Sequence, residues 1–318
     1  MLISGNRVLS IDMGSHSYKL IEAQKKPLLR ILHFGVYPRQ QLIEAVSPNY
    51  EMKHLGFRAK NAILSYNHSS LLIREMSIPY QDIYQDETLV HLSVQDIIQQ
   101  YESDFKVELD YDYSIGIQGE GSEFYQATTV TVSKNINRMY INQAIALGLK
   151  PLSVDLQIYA INRFLSKVGM SEYLLIDFGY ENTTVAIVSS EHVPLLKVLP
   201  IGCKALQQES SNPEEILGNL LSTYHHQMGY SLNKAGQKPL KYGILHGGGA
   251  YIPELKSFLR QQIQLEWHTL QDLHSLMPNI PNIIDLNLYG NCLGSLLCED
   301  NKQEEGSAAY EKSKFAPF

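Results

Sequence analysis

The sequence predicts an α/β protein of two lobes, and three separated segments carry that prediction. Residues 11–19 and 174–184 share one pattern, in which an apolar strand ends in Asp, a Gly and polar residues follow, and a second strand returns. Residues 244–250 run from an apolar strand into three consecutive glycines, ahead of a helix. The first two patterns are typical of hairpins that present backbone N–H groups and hydroxyls to a phosphate. The glycines of the third let a flat ligand approach the backbone closely.

The composition bounds the class of protein. A chain of 318 residues is long enough for two compact domains, and 44% hydrophobic with 19% charged residues is ordinary for a globular protein. The net charge of −7 argues against a nucleic-acid-binding protein, because no basic stripe offsets it. Cys203, Cys292 and Cys298 lack metal-type spacing, which indicates a reduced, cytosolic chain. Residues 1–10 lack a signal-peptide core, and no apolar run of about 18 residues predicts a membrane span.

The first half of the chain alternates strands and helices. We expect strands at 7–11, 18–24, 61–65, 70–76, 110–118, 126–133 and 152–156, and helices at 85–101, 135–147 and 157–167. Pro79 is expected to end pairing of the fourth strand, since it has no N–H. Gly148 follows the second helix at the position of a left-handed cap. The apolar positions Leu89, Ile97 and Ile98 are either core or the lining of a groove.

The second half repeats the plan from its own hairpin at 174. A strand is expected at 193–200 and helices at 213–228 and 253–264, whereas 299–318 has the composition of a flexible tail. The block at 79–152 reads as a small α/β insertion. We therefore expect a first lobe of 1–78 and 153–170, an inserted subdomain of 79–152, and a second lobe of 171–298.

Two Asp-Gly hairpins followed by a Gly-Gly-Gly turn, in that order, indicate the actin-like ATPase fold. Within that superfamily the chain resembles the type IV pilus assembly protein family PilM, which is itself similar to the cell-division protein FtsA. The resemblance is carried by residues 9–22, 74–79, 144–155, 176–179 and 247–249, and it extends over roughly 7–297. It implies a two-lobed actin-like ATPase fold with a small inserted α/β subdomain in the first lobe.

The resemblance also implies partners and a place in the cell. Such a protein is cytoplasmic and captures the N-terminal peptide of a PilN-like bitopic membrane protein, which recruits it to the inner face of the cytoplasmic membrane. Type IV pilus, pseudopilus and DNA-uptake machines are all compatible, and other pilus motor components and a homo-oligomer stay open as partners. No nucleic acid and no membrane span of its own are expected.

A nucleotide site is expected between the hairpins, with ATP and Mg²⁺ as cofactors. Its expected contacts are Asp12, Gly14, Ser15, His16, Ser17 and Lys19 in the first hairpin, Asp177, Gly179, Thr183 and Thr184 in the second, and Gly247, Gly248 and Gly249 at the adenine side. Asp12 and Asp177 are candidates to hold Mg²⁺ through water, and the alternative is that each Asp caps its own turn. Gln157 is a candidate to position an attacking water, against the alternative of a solvent-facing residue in the first turn of its helix.

Several of these residues also have plainer interpretations. His16 is as readily a surface imidazole, and the glycine triplet could be a loop that starts a helix. His225 and His226 lack a third ligand at suitable spacing, so exposed helix residues are favoured over a metal site. Cys203 is most simply a small buried residue.

Two departures from the family weaken the expected nucleotide site. Only 70 positions (247 − 177 = 70) separate Asp177 from Gly247, and no counterpart of the family's adenosine-facing helix lies between them. Tyr180 and Glu181 also stand where small residues are commoner. We therefore expect weak ATP binding and at most slow hydrolysis, which favours a scaffold or pseudo-ATPase.

Alternative functions on this fold are a small-molecule kinase, a chaperone-type ATPase and an FtsA-like division ATPase. A kinase needs a general base at an acceptor cleft, and no candidate Asp with a neighbouring Gly pair follows the second hairpin. A chaperone needs a substrate domain, and the division protein needs an amphipathic membrane helix; neither is present in this sequence. We expect instead a peptide groove between the first lobe and the inserted block. The acidic residues around it either favour a basic tail or are simply a solvated helix face; they are Asp82, Asp86, Glu87, Asp96, Glu102, Asp104 and Glu108.

Overall fold

The computed structural model describes residues 7–25, 28–44, 52–79, 87–116, 124–189, 192–207, 213–232 and 240–298. By its contacts the chain divides into two units. The first unit combines the described parts of 1–69 with 141–298, and the second unit holds those of 70–140. Each unit has sheets and helices of its own, as the sequence predicts for an α/β protein.

The first sheet of the first unit is built from the N-terminal strands. It has the order β3-β2-β1-β4-β8, with β1 (Arg7–Met13), β2 (Ser17–Gln24), β3 (Arg30–Pro38), β4 (Asn61–Tyr66) and β8 (Lys150–Leu156). β1, β2 and β3 are antiparallel neighbours, whereas β4 and β8 run parallel to β1. A short helix, α1 (Arg39–Ile43), follows β3. Leu9, Ile11 and Leu64 are fully buried, so the faces of β1 and β4 that carry these side chains lie in the core.

The second unit contains a sheet of order β5-β7-β6, all antiparallel. Its strands are β5 (Leu72–Pro79), β6 (Leu109–Gly116) and β7 (Phe124–Ser133), and its helix is α2 (Glu87–Phe105). Ile78, Val94, Ile98 and Ala127 form the buried cluster between α2 and the sheet. The first part of α3 (Lys134–Ala146) also belongs to this unit, where Asn137 donates a hydrogen bond to Asp110 over 2.7 Å.

The second sheet of the first unit repeats the plan of the first. Its order is β11-β10-β9-β12-β13, from β9 (Glu172–Phe178), β10 (Thr183–Ser189), β11 (His192–Leu199), β12 (Tyr242–His246) and β13 (Glu266–Thr269). β9, β10 and β11 are antiparallel, and β12 and β13 are parallel to β9. The two leading hairpins match even in their turns, because Met13 pairs with Tyr18 and Phe178 pairs with Thr183. The predicted equivalence of the two hairpins is confirmed.

The remaining helices of the first unit flank these sheets. They are α4 (Gln157–Lys167), α5 (Cys203–Leu206), α6 (Pro213–Leu232), α7 (Pro253–Gln262) and α8 (Leu286–Leu296), with 3₁₀ turns at Gly247–Tyr251 and Gln271–Leu276. α4 buries Ile158, Ile161 and Leu165, which recur at helical spacing and form one apolar stripe. Pro253 stands at the start of α7, where its missing N–H costs no helical hydrogen bond.

α8 returns the chain to the first sheet. It packs on α4, β1 and β2, and two glycines four residues apart permit the close approach. A Cβ on Gly294 would lie 1.8 Å from the carbonyl oxygen of Ala160, and one on Gly290 would lie 2.3 Å from Leu270. The expected second lobe of 171–298 therefore ends in a helix that packs against the first lobe's strands.

The structure differs from the sequence predictions at several element ends. β5 continues through Pro79, which pairs with Phe124. A proline is tolerated there because β5 is an outer strand of its sheet and can turn the position of the missing N–H outward. α2 extends to Phe105 rather than 101, and Gly148 has the expected positive φ of 75°. The expected tail at 299–318 and the turn between β6 and β7 lie outside the described residues.

The contact-based units also differ from the predicted boundaries of the insertion. β5 pairs with β7 and so lies in the second unit, although the expected insertion starts at 79. β8 pairs with β4 in the first sheet, although the expected insertion ends at 152. The reason is strand pairing, which the order of elements along the chain does not reveal.

Candidate functional site

The carboxyl ends of parallel strands from both sheets come together in the first unit. Asp12 lies at the end of β1 beside Ser65 of β4, and Asp177 lies at the end of β9 beside His246 of β12. Ligand sites of open α/β sheets form at this edge, because the strand ends leave a crevice between loops. Asp12 also acts electrostatically on Asp177, so the two carboxyl groups share one region, as the matched hairpins predict.

Asp12 is buried and fully engaged by side chains of the chain itself. Its Oδ1 accepts a hydrogen bond of 2.5 Å from Gln157 Nε2, and its Oδ2 accepts one of 3.3 Å from Asn291 Nδ2. Lys19 Nζ lies 3.8 Å from the same Oδ2. A buried carboxylate needs such partners, since desolvation without them is costly. Gln157 thus faces the carboxylate rather than solvent; its expected role in positioning water stays a prediction.

Asp177 and His246 are shifted toward their neutral forms. Burial raises the pKa of Asp177 to about 7, with a further rise from the charge of Asp12. Burial lowers the pKa of His246 to about 4. Near neutral pH the histidine is therefore uncharged, and the aspartic acid is close to half protonated.

Two atoms of this buried cluster have no hydrogen-bond partner among the described residues: Nδ1 of His246 and Oδ1 of Asn291. An unsatisfied buried polar atom costs free energy. Within the described ranges, no group of three or more His, Cys, Asp and Glu side chains could hold a metal ion. The water-mediated Mg²⁺ site expected at Asp12 and Asp177 stays a prediction.

The first hairpin turn, residues 14–17, is tight, and its own atoms fill the space beside Gly14. A Cβ on Gly14 would lie 2.8 Å from the carbonyl oxygen of Ser17 and 3.0 Å from Lys19 Nζ, so only glycine fits. Lys19 therefore lies over the turn and beside Asp12. His16, at the exposed tip, places its ring 4.4 Å from the ring of Tyr180 in the other hairpin.

The second hairpin turn repeats this geometry. A Cβ on Gly179 would lie 2.8 Å from the carbonyl oxygen of Asn182, the same contact as in the first turn. Thr183 and Thr184 are buried and hydrogen-bonded within the chain, and their contact with phosphate stays a prediction. Thr183 Oγ1 donates to the carbonyl oxygen of Ile201 over 2.6 Å, and Thr184 Oγ1 accepts a hydrogen bond from Asn67 Nδ2.

The glycine triplet packs against the end of β9. Gly247 has a φ of 72°, and a Cβ there would lie 2.4 Å from Asp177 Oδ1. A Cβ on Gly249 would lie 2.5 Å from Cβ of Phe178, and one on Gly248 would lie 3.0 Å from Cys203 Sγ. Packing thus already requires these glycines, and their place beside adenine stays a prediction. Cys203 is buried, as expected for a small core residue.

Sequence reasoning gave no role to three residues of this region: Asn67, His246 and Asn291. His246 enters the sequence analysis only as the residue directly before the glycine triplet. Asn291 lies in α8. The sequence features that could have indicated this helix are Asp285, which caps its N-terminus and accepts a hydrogen bond from Asn287 N, and the glycines at 290 and 294. Asn67 follows β4 without any motif, so only the tertiary structure finds it.

The fold implies a nucleotide with Mg²⁺, but the side chains present do not fit one in this arrangement. The two hairpin tips are in ring contact, Thr184 is bonded to Asn67, and both oxygens of Asp12 are engaged. A phosphate group would have to displace these contacts. Separately, among the described residues no helix is both long and apolar enough to cross a membrane.

Comparison with known proteins identifies the fold. No protein-family model matches this sequence, and no curated protein matches it. A chain of the solved PilM–PilN type IV pilus biogenesis complex is similar, with a TM-score of 0.70 at 14% identity over 91% of this chain and 97% of that chain. The cytoplasmic domain of EpsL, an inner-membrane component of the type II secretion system of Vibrio cholerae, gives a TM-score of 0.51 at 13% identity over 93% and 97%.

Likeness at such low identity establishes the fold. The two sheets with repeated strand order, the matched hairpins and the separate small α/β unit agree with it along the chain. The resemblance to PilM is thereby confirmed at the level of structure. This chain has the two-lobed actin-like ATPase fold with a small inserted α/β subdomain, the fold that it shares with the PilM–PilN complex.

Proposed function

We propose that this chain is a cytoplasmic scaffold of a type IV pilus machine, or of a related pseudopilus or DNA-uptake machine. It binds the N-terminal tail of a PilN-like bitopic membrane protein, which recruits it to the inner face of the cytoplasmic membrane. The observation that carries the proposal is the likeness to a chain of the PilM–PilN complex over 97% of that chain. The likeness to the cytoplasmic domain of EpsL supports the same class of machine.

The proposal gives nucleotide a minor role. ATP and Mg²⁺ are weak ligands, and hydrolysis is slow or absent, because Asp12, Thr183 and Thr184 are engaged by other groups of the chain itself. Binding of the membrane partner is then the function that the fold serves. Other motor components and a second copy of the chain are further candidate partners.

The second unit supplies features suited to an extended peptide. β5 and β6 are the outer strands of its sheet, and an extended peptide pairs with such an edge and places alternate side chains in pockets. α2 carries Asp96 and Asp104 on its exposed surface. These charges favour the basic residues that lie just cytoplasmic of a membrane span.

Not every acidic residue of this region is available to a partner. Glu102 accepts a hydrogen bond of 2.7 Å from the backbone N–H of Leu109, and Glu108 lies 3.6 Å from Lys134 Nζ. Reversing the charge of Glu102 would therefore disturb the connection from α2 to β6. Asp82 and Asp86 lie outside the described residues, and nothing is described of the Glu87 side chain. Asp96 and Asp104 are the better positions for a test.

The test is a binding titration of the full chain. The probe is a fluorescent peptide of the first ~20 residues of a PilN-like bitopic membrane protein from the same organism, long enough to span a groove when extended. We expect saturable binding, weakened about tenfold by combined Asp96→Lys and Asp104→Lys, with a smaller dependence on salt. The matched control carries Glu215→Lys and Glu254→Lys, two exposed helix carboxylates of the first unit, and should bind like wild type.

A deletion variant provides a second test of where the peptide binds. Residues 70–140 are replaced by a short Gly-Ser linker, which cuts at the unit boundaries and leaves β8 whole, whereas removal of 79–152 would truncate β8. The first unit should still unfold cooperatively and should no longer bind the peptide. Undiminished binding by a folded deletion variant would place the peptide site elsewhere, and no binding by the full chain would refute the proposed partner.

A further inference from the structure

The crevice between the two leading hairpins is bridged by side chains from both of its walls. His16 stands at the tip of the first hairpin and Tyr180 at the tip of the second. Their ring centroids are 4.4 Å apart, with the ring planes inclined by 34°. Small residues at both tips would leave space between them, whereas an imidazole and a phenol in contact fill it.

A second bridge lies deeper in the same crevice. Asn67 directly follows β4, and its Nδ2 donates a hydrogen bond to Oγ1 of Thr184 in β10. Thr184 is only 3% exposed, so this bond is shielded from water on the threonine side. A shielded hydrogen bond is costly to break when no replacement partner is at hand.

The floor of the crevice joins elements of both lobes as well. Asp12 accepts hydrogen bonds from Gln157 of α4 and from Asn291 of α8, and α8 follows the second sheet in the chain. Gly290 in the same helix lies against His246, whose Cε1 would be 3.3 Å from a Cβ at that position. Side-chain contacts between the two lobes thus run from the tips of the hairpins to the floor of the crevice.

We propose that these contacts form a latch that holds the two lobes together and replaces a nucleotide as the link across the crevice. The latch consists of the His16–Tyr180 contact and the Asn67–Thr184 hydrogen bond. A nucleoside triphosphate could enter only after both bridges opened, and its apparent affinity would fall in proportion to the small open fraction. The inference rests on the contacts of the first unit and is independent of the proposed membrane partner.

The decisive experiment is a double-mutant cycle in the full chain. Urea unfolding is measured for wild type, Asn67→Ala, Thr184→Val and the combination, since a cycle isolates the pairwise interaction. The bridge predicts a coupling of about fivefold or more in the unfolding equilibrium constant. The matched control pairs Asn67→Ala with Thr223→Val, which removes a hydroxyl that bonds Asn219 within α6, and this cycle should be additive.

A nucleotide titration is the second measurement. At about 5 mM MgATP or MgADP we expect the melting temperature of wild type to change by less than about 1 °C, because only a ligand that binds the native state raises it. Tyr180→Ala with Asn67→Ala tests the bridges, and Tyr242→Ala, which removes a tyrosine at the opposite end of its sheet, is the control. Tyr180 also packs on the core of its own sheet, so the readout is the effect of MgATP on each melting temperature, which should rise in the opened variant and not in the control.

Each result bears on the latch. Coupling of Asn67 with Thr184 together with an unchanged melting temperature in MgATP supports it. Additive effects of Asn67→Ala and Thr184→Val would overturn it, whatever the nucleotide does. A saturable rise of several degrees in wild type would overturn it too, since nucleotide would then bind despite the bridges. Peptide capture is measured separately, so failure of the latch and failure of the proposed function are distinguishable.

Discussion

The buried pair Asp177 and His246 should make the stability of this protein depend on pH in two opposing ways. Asp177 has its pKa raised from 3.8 to about 7, so the folded state holds a proton that the unfolded chain releases. Its stabilisation is complete below pH 3.8 and is lost as pH rises through about 7. His246 has its pKa lowered from 6.5 to about 4, so between these pH values the unfolded chain binds a proton that the folded state does not bind. Its contribution is complete above pH 6.5 and is lost as pH falls through about 4.

The pH dependences that Asp177 and His246 give to the free energy of unfolding nearly cancel over the pH range in which both groups titrate. A fully developed difference of one proton changes the free energy of unfolding by about 1.4 kcal/mol per pH unit. Between about pH 4.5 and 6, Asp177 contributes a fall and His246 a rise of roughly that size. The free energy of unfolding of wild type should therefore change little with pH because of this pair. A variant that lacks one of the two residues should show the pH dependence that the other gives. Over those 1.5 units the exposed change is on the order of 2 kcal/mol.

The assay is urea unfolding in EDTA at closely spaced pH values, with each variant compared with wild type so that other titrating groups cancel. For Asp177→Asn, the difference from wild type should shift in favour of the variant as pH rises. For His246→Asn it should shift in favour of wild type. Thr223→Val, which removes no titrating group, should give a constant difference. A constant difference for Asp177→Asn, within about 0.5 kcal/mol, would refute the assigned burial of this carboxyl group.

Three further substitutions test the packing of the first unit by the same unfolding measurement. Gly294→Ala should destabilise by more than about 3 kcal/mol, because its Cβ would meet the Ala160 carbonyl at 1.8 Å; a smaller loss would contradict the close α4–α8 contact. Gly218→Ala, inside α6 with no atom within 4 Å of the new Cβ, should stabilise by about 0.5–1 kcal/mol, and a loss would show a contact not seen here. Asp155→Ala should cost about 2–3 kcal/mol, since Arg163 and Ser295 both bond its Oδ2, and Arg163→Met should cost less in this variant than in wild type, because only its bond to the Gly294 carbonyl is then left to lose.

The sequence by itself determined the repeated plan of the molecule. The Asp-Gly hairpins at 11–19 and 174–184 are local patterns, in which turn glycines and alternating apolar residues act over a few positions, and both formed as predicted. The left-handed glycine at 148 and the helix at 157–167 are local in the same sense. Such features follow from backbone geometry and periodicity, which are legible in one segment at a time.

Only the tertiary structure decided which distant residues of this plan come into contact. The return of α8 to the first sheet and the bond from Asn67 to Thr184 join residues more than a hundred positions apart. The pairing of β5 with β7 and of β8 with β4 likewise cannot be read from the order of elements along the chain. Long-range contacts are set by how whole elements pack, and the burial that shifts the pKa of Asp177 arises only once they have done so.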